Sequence, residues 1–311
     1  MIKNTLGRTG FSVSKICMGT LTIGPLQANF STKEAVGILS YAWDRGINFF
    51  DSAELYRTHD MIGALPNYIR HDAVIVTKSY AHTAQAMQES VENALKQMKL
   101  DVIPIFLLHE QESSMTMKGH RQALDTLLSY KNKGLIKVVG VSTHTIEVTS
   151  LVRRMPEIEV LFSMFNLEGW GIKDGTQKEM EQELEFAYKV GKGVYLMKVL
   201  AGGRLLGRAK EAIKYAFEFP YAHSVSIGMK HPDEIDYNIE IMEGKEPTIP
   251  IEQVPRKMLI SFWCEACGAC ISACPQEAIS IVDGKATIDE NKCVVCTYCT
   301  GFCPLNCLRV V

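Results

Sequence analysis

Between Lys15 and Gly228, short apolar runs with no charge at their centres alternate with longer stretches whose apolar residues recur about every 3.6 positions. The short runs are Ile16–Thr20, Ile47–Ala53, Ala73–Ser79, Ile103–His109, Ile136–Ser142, Val160–Asn166, Gly193–Val199 and His223–Met229. They have the length of strands buried on both faces, as in a parallel sheet. The intervening stretches, such as Thr32–Arg45, Thr83–Lys99, Arg121–Lys133 and Gln177–Val190, predict amphipathic helices. This is an α/β pattern, and eight strand–helix units in about 240 residues suit a closed (β/α)8 TIM barrel better than an open doubly wound sheet. Gly202-Gly203 followed by Gly207 lacks the G-x-G-x-x-G spacing of an open dinucleotide fold. Ahead of the first strand, Lys3–Leu6 and Phe11–Ser14 flank Gly7-Arg8-Thr9-Gly10 and predict a β-hairpin plugging the barrel floor.

The eighth helix is expected over Pro232 to about Met242, after which Pro247, Pro250 and Pro255 break any regular element. We therefore divide the chain into a barrel over residues 1–245, a proline-spaced linker over 246–255 and a small α+β domain over 256–311. The last part is too short to be stable by hydrophobic burial alone and needs a metal or disulfides.

Composition narrows the classes. Of 311 residues 47% are apolar and 22% charged, enough for a sizeable core and too apolar for disorder. The formal charge of −2 offers no global field for nucleic acid or an anionic membrane surface, and no run of 18 or more apolar residues occurs. Met1–Gly10 lacks the apolar core of a secretory leader, so a cytoplasmic location is expected. Nine of the ten cysteines crowd into residues 264–307, which in a reducing compartment indicates metal.

Cys264, Cys267, Cys270 and Cys274 precede Pro275, and 29 residues later Cys293, Cys296, Cys299 and Cys303 precede Pro304. Each half reads C-x2-C-x2-C-x3-C-P, the spacing with which a tight loop supplies three thiolates to one iron–sulfur cube and a fourth to the other. Zinc sites pair two C-x2-C knuckles and leave the third cysteine of each half unexplained. The repeat resembles the bacterial two-cluster ferredoxin module. That resemblance implies two [4Fe–4S] clusters, one on Cys264, Cys267, Cys270 and Cys303, the other on Cys293, Cys296, Cys299 and Cys274. Cys17 and Cys307 read as small core residues.

Three consecutive strand runs end in polar groups: Asp51, with Tyr56 just beyond it, Lys78 and His109. Carboxyl ends of barrel strands share one mouth, so these four should converge there. A lysine ammonium near a phenol is expected to lower its pKa from about 10, with Asp51 holding Lys78 and His109 orienting a carbonyl oxygen.

Gly7-Arg8-Thr9-Gly10, Cys17-Met18-Gly19-Thr20, Phe49 through Tyr56, Lys78 and His109 resemble the aldo-keto reductases, and the cassette behind them resembles the branch fused to a ferredoxin. The resemblance implies Asp51, Tyr56, Lys78 and His109 as catalytic residues acting on a small carbonyl-type molecule, with NAD(P)H as hydride source. It places Ser142 and Asn166 at the nicotinamide end, and Gly228, Met229, Lys230, Glu234 and Asn238 at the adenosine end. Several positions depart from the family pattern. Thr143 replaces an asparagine, no glutamine stands in Phe162–Asn166, the ring-stacking tyrosine is missing from Met197-Lys198-Val199, and Glu234 replaces a phosphate-binding arginine.

A nicotinamide passes two electrons at once and a cluster one, which calls for a flavin, stepwise reduction by the clusters, or clusters that only brace. A redox protein such as ferredoxin or flavodoxin is the corresponding partner. The main expectation is an iron–sulfur oxidoreductase. The alternatives are an NAD(P)H-dependent reductase with accessory clusters, a redox-neutral lyase or epimerase, and a redox sensor. His59 reads as a rim residue in water or a second acid, Trp170 as a substrate stacker or a loop core, and His144 as a neighbour of the cofactor amide.

Overall fold

The computed structural model describes residues 1–251 and 254–311. A hairpin of β1 (Lys3–Thr5) and β2 (Ser12–Ser14) precedes eight parallel strands: β3 (Ile16–Gly19), β4 (Phe49–Asp51), β5 (Val74–Ser79), β6 (Ile103–Gln111), β7 (Ile136–Thr143), β8 (Val160–Met164), β9 (Gly193–Met197) and β10 (Ser224–Gly228). The strands pair in sequence order, and β10 closes on β3, with Val225 opposite Ile16. The expected (β/α)8 barrel is present.

Alternation along each strand divides the core in two. Phe50, Ile75, Phe106, Leu108 and Leu196 face outward into the layer beneath the helices. Phe49, Val74, Val76, Ile105, Leu107, Phe162, Tyr195 and Met197 fill the interior, where Leu6 and Val13 of the hairpin segment join them. The hairpin therefore supplies side chains to the barrel core, as the apolar residues flanking its turn foretell.

The predicted helices appear at Thr32–Asp44, Ala84–Met98, Arg121–Asn132, Gln177–Lys189 and Pro232–Met242. Capping boxes start the first and fourth of these, at Ser31 with Glu34 and at Thr176 with Glu179. After Met242 the next strand is β11 (Met258–Ile260); the linker expected over 246–255 includes residues 252 and 253, which lie outside the described residues. The C-terminal part pairs β11 with β14 (Leu308–Val310), and β12 (Ile279–Val282) with β13 (Lys285–Ile288), both antiparallel.

This small part sits against the barrel mouth. Arg204, just past β9, donates from Nε to the Cys293 carbonyl at 2.8 Å and from a terminal nitrogen to the Glu290 carbonyl. Leu26, Ala53 and Tyr56 of the barrel form one apolar cluster with Tyr298, with Cys296 packed at its edge.

Candidate active site

The inward rows of β4, β5 and β6 run Phe49–Asp51, Val76–Lys78 and Leu107–His109, so each polar residue continues an apolar row at its carboxyl end. Lys78 Nζ donates to Asp51 Oδ2 at 2.7 Å, to Asp51 Oδ1 at 2.9 Å and to the Ser52 carbonyl at 2.7 Å. Three acceptors match the three protons of an ammonium. Burial pushes Asp51 up and Lys78 down from their ordinary values, and each partner opposes the shift of the other. Tyr195 adds a hydrogen bond to Asp51 Oδ1 at 3.1 Å. Only the inward row of β9 could have flagged that tyrosine in the sequence.

Lys78 Nζ lies 4.6 Å from the centre of the Tyr56 ring, over its face. The expectation that it lowers the Tyr56 pKa is overturned. Burial first, and then Asp51, push the phenol well above its ordinary value. The reason is geometric: the carboxylate neutralises the ammonium it holds, so the phenol experiences a desolvated pair rather than a free cation. Tyr56 is thus kept protonated. His109 meets Tyr56 edge to face at 5.8 Å and stacks on Tyr80 at 4.2 Å; burial, then Lys78, hold it well below its ordinary value.

All four side chains line one cavity of about 190 Å³, which continues past Ser142 to Gly228, Lys230, Glu234 and Asn238. Asn238 donates to the Glu234 carbonyl at 2.6 Å, and its Oδ1 has no hydrogen-bond partner among the described residues. Glu234 Oε2 accepts the Lys230 N–H at 2.6 Å. The adenosine end therefore retains a free acceptor and carries a carboxylate. The nicotinamide end is less complete. Ser142 Oγ already accepts the Glu110 N–H at 2.7 Å, while Asn166 is outside the cavity lining and bonds both backbone groups of Trp170. Met229 is fully buried and also outside the lining.

Three further residues fall where the sequence did not point firmly. Trp170 is the loop core of the two readings, its ring against Arg204 and its indole N–H on Glu168. His59 is neither in water nor at the mouth: it is buried, with Nε2 2.6 Å from Thr77 Oγ1 on the outward face of β5. His144 is buried and lines the cavity.

The small part contributes directly. Val295, Cys296 and Tyr298 line the same cavity as Asp51, Tyr56 and Lys78. The Tyr298 hydroxyl donates to the Tyr56 hydroxyl at 3.4 Å, and the Tyr298 ring lies 6.3 Å from those of Tyr56 and His109. Lys198, which stands in the segment where the ring-stacking tyrosine was missing, places Nζ 5.7 Å from the Tyr298 ring. Sequence reading missed Tyr298, although its place between Cys296 and Cys299 ties it to the cassette.

The donor set fits iron–sulfur clusters. A second, smaller cavity is lined by Cys274, Cys293, Cys296 and Cys299 together with Met258, Ile279, Ile288 and Val294. Electrostatic neighbours sort the remaining ligands: Cys270 experiences Cys264, Cys303 and Cys267. The fourth cysteine of each half thus joins the other half. All ten cysteines are free. Among the described residues no three His, Cys, Asp or Glu side chains close to the spacing of a single metal ion. A cube spreads its thiolates wider than one ion does.

A barrel with an Asp–Tyr–Lys–His mouth, covered by a thiolate-rich module, defines an oxidoreductase site. The aldo/keto reductase family matches residues 15–218, and a 4Fe-4S binding domain matches residues 261–280. The chain belongs to the aldo/keto reductase family. It is 24% identical over 247 residues to L-galactose dehydrogenase of Arabidopsis thaliana, covering 72% of this chain and 76% of that protein. It is 26% identical over 196 residues to the methylglyoxal reductase DkgA of Escherichia coli O157:H7, covering 59% and 68%. A candidate aldo-keto reductase from Pseudomonas aeruginosa superposes with a TM-score of 0.67 at 26% identity, covering 78% of this chain and 94% of that one. Among the described residues no helix is long and apolar enough to cross a membrane.

Proposed function

We propose that this chain is an iron–sulfur oxidoreductase that reduces a small carbonyl compound, with two [4Fe–4S] clusters in residues 256–311 relaying electrons into a barrel site in residues 1–245. The observation that carries this reading is the shared cavity, in which Cys296 and Tyr298 stand beside Tyr56 and Lys78. When bound, the clusters supply electrons one at a time. Tyr56 gives its proton to the carbonyl oxygen as charge develops there, and its high pKa keeps that proton in place until then. Asp51 and Ser52 fix Lys78 over the face of the Tyr56 ring and so hold that ring in place at the mouth. His109, held neutral, orients the oxygen without competing for its charge. Lys198 lines the same cavity and brings a positive charge beside Cys296 and Tyr298. Thiolate clusters of this kind suit a reducing cytoplasm. The substrate class follows the relatives, a small 2-oxoaldehyde or an aldose.

The continuous path to Lys230, Glu234 and Asn238 favours a second reading, in which a dinucleotide delivers hydride and the clusters are accessory. Asn238 Oδ1 would then accept from the adenine, and Glu234 would favour NADH by repelling a 2′-phosphate.

The two are separated by one turnover. Holo-protein is reduced with dithionite under argon, freed of excess reductant and mixed with methylglyoxal. Cluster absorbance should return as reduced product forms, about one molecule per two electrons stored. Clusters that stay reduced, in protein that turns over on NADH or NADPH alone, would refute the first reading in favour of the second.

A further inference from the structure

The two cysteine sets receive charge from the barrel unequally. The outer set is Cys264, Cys267, Cys270 and Cys303; the inner set, Cys274, Cys293, Cys296 and Cys299, shares one small cavity, and its Cys296 also reaches the mouth. Residues 258–275 and 300–308, which carry the outer set, contain no lysine or arginine, and Glu265 is their one charged side chain. Lys257, Lys292 and Arg309 flank the two sets, but all three are exposed and screened by water and salt.

The inner set meets two cations from the barrel, both on the segment after β9. Arg204 braces the loop through the Cys293 and Glu290 carbonyls. Lys198 is half-buried, lines the cavity that Cys296 also lines, and places Nζ 5.7 Å from the ring of Tyr298, two residues beyond Cys296. Its backbone is fixed in an unusual shape. Lys198 has φ 59, a left-handed conformation that a Cβ disfavours, and its carbonyl accepts the Ala201 N–H at 2.7 Å. Among the described residues its ammonium has no hydrogen bond and no ion pair, whereas Lys78 is matched by Asp51. The thiols register this charge. Burial pushes Cys296 up to about 11, and Lys198 opposes that more strongly than Glu110 reinforces it. Burial also raises Cys270, but there Cys264, Cys303 and Cys267 add to the rise.

An electron added to a thiolate-bound cube adds negative charge, so an uncompensated cation nearby favours the reduced form. At an effective dielectric constant of about 20, a unit charge about 10 Å from that electron changes the equilibrium by roughly tenfold. We propose that Lys198 sets the order of the two clusters: its charge, held by the barrel beside Cys296, makes the inner cluster the more easily reduced. An electron on the outer cluster then passes inward, one cluster being oxidised and the other reduced with no bond made or broken. Lys198 acts through the cluster and not on the substrate. This rests on the reading that residues 256–311 hold two clusters.

The test is a potentiometric titration of full-length holo-protein under argon, with dithionite as reductant and the clusters followed by electron paramagnetic resonance. The parent should show two midpoints. Lys198→Met should make reduction of the higher-potential cluster about tenfold less favourable, about 59 mV for one electron, and leave the other midpoint in place. Lys198→Arg, which keeps the charge, should stay within about threefold of the parent, a rescue that a merely structural role would not predict. Glu265→Gln, on the outer loop, should move the lower midpoint instead, and upward. Lys198→Gln serves if Lys198→Met loses iron. Midpoints unmoved in an iron-replete neutral variant, both moved together, or the lower one moved by Lys198→Met would overturn the role of Lys198. A parent with fewer than two reducible clusters overturns the two-cluster reading itself.

Discussion

Gly202 tests whether the cysteine-rich part must sit where it does for the barrel to work. It has φ 70 in the segment after β9, and a Cβ added there would lie 1.8 Å from the Val294 carbonyl oxygen and 2.8 Å from its carbon. Non-bonded heavy atoms prefer about 3.5 Å, so Gly202→Ala requires the Cys293–Tyr298 loop to retreat by about 1.5 Å. The left-handed backbone adds about 1–2 kcal/mol for any residue with a Cβ. Gly244 provides the control. It has φ 74 and nothing within 4 Å of the point an alanine methyl would occupy, so Gly244→Ala carries the backbone cost without the collision. Both variants should therefore lose some thermal stability. Only Gly202→Ala should lose cluster-driven turnover, by about a hundredfold, since a misplacement near 1 Å has that consequence for aligned reacting groups. The assay is viologen-driven reduction of methylglyoxal beside a calorimetric melt and an iron determination. Equal turnover in the two variants, with iron retained in both, would show that the loop position is immaterial.

Two other outcomes follow from the same geometry. Tyr56→Phe removes one hydroxyl and little volume, and should cut turnover by about a thousandfold while clusters and melting behaviour are preserved, as steady-state rates and calorimetry would register. Anaerobically isolated protein should contain about eight iron and eight acid-labile sulfide per chain, and stripping them should unfold residues 256–311 ahead of the barrel in a hydrogen-exchange experiment.

Much of the fold was legible because barrel strands impose two patterns at once, an apolar run for burial on both faces and a polar residue where the run reaches the mouth. Asp51, Lys78 and His109 stand out by that rule. Tyr195 does not, because a tyrosine inside an apolar run reads as core until its hydroxyl is seen on Asp51. The cassette was legible for a different reason, since thiolate spacing is local and survives without any knowledge of packing. What could not be read was how the two parts meet. Tyr298 reaches Tyr56 across 242 positions and Gln276 reaches His144 across 132, and no periodicity encodes such pairs. The charge state of Tyr56 was misjudged for a related reason. A lysine in the sequence looks like a free cation, whereas in the fold its charge is matched by Asp51 within hydrogen-bond distance.

The two cysteine sets are also unequal in their surroundings, and this orders them. Cys267 is exposed and Cys264 and Cys303 are half-buried, with Phe262 and Trp263 open to solvent beside them. Cys296 lines the cavity it shares with Tyr56, and Cys299 is buried. On the proposed reading, a donor in solution would meet the first set and a substrate in the barrel the second. Reversing the placement would put the exposed Cys267 against Tyr56 and turn Cys296 away from the mouth. The crossing of Cys274 and Cys303 between the halves joins the two sets through one small core that includes Cys270 and Cys299. Two sets of thiols, one nearer the surface and one at the mouth, are the arrangement that the proposed relay of single electrons requires.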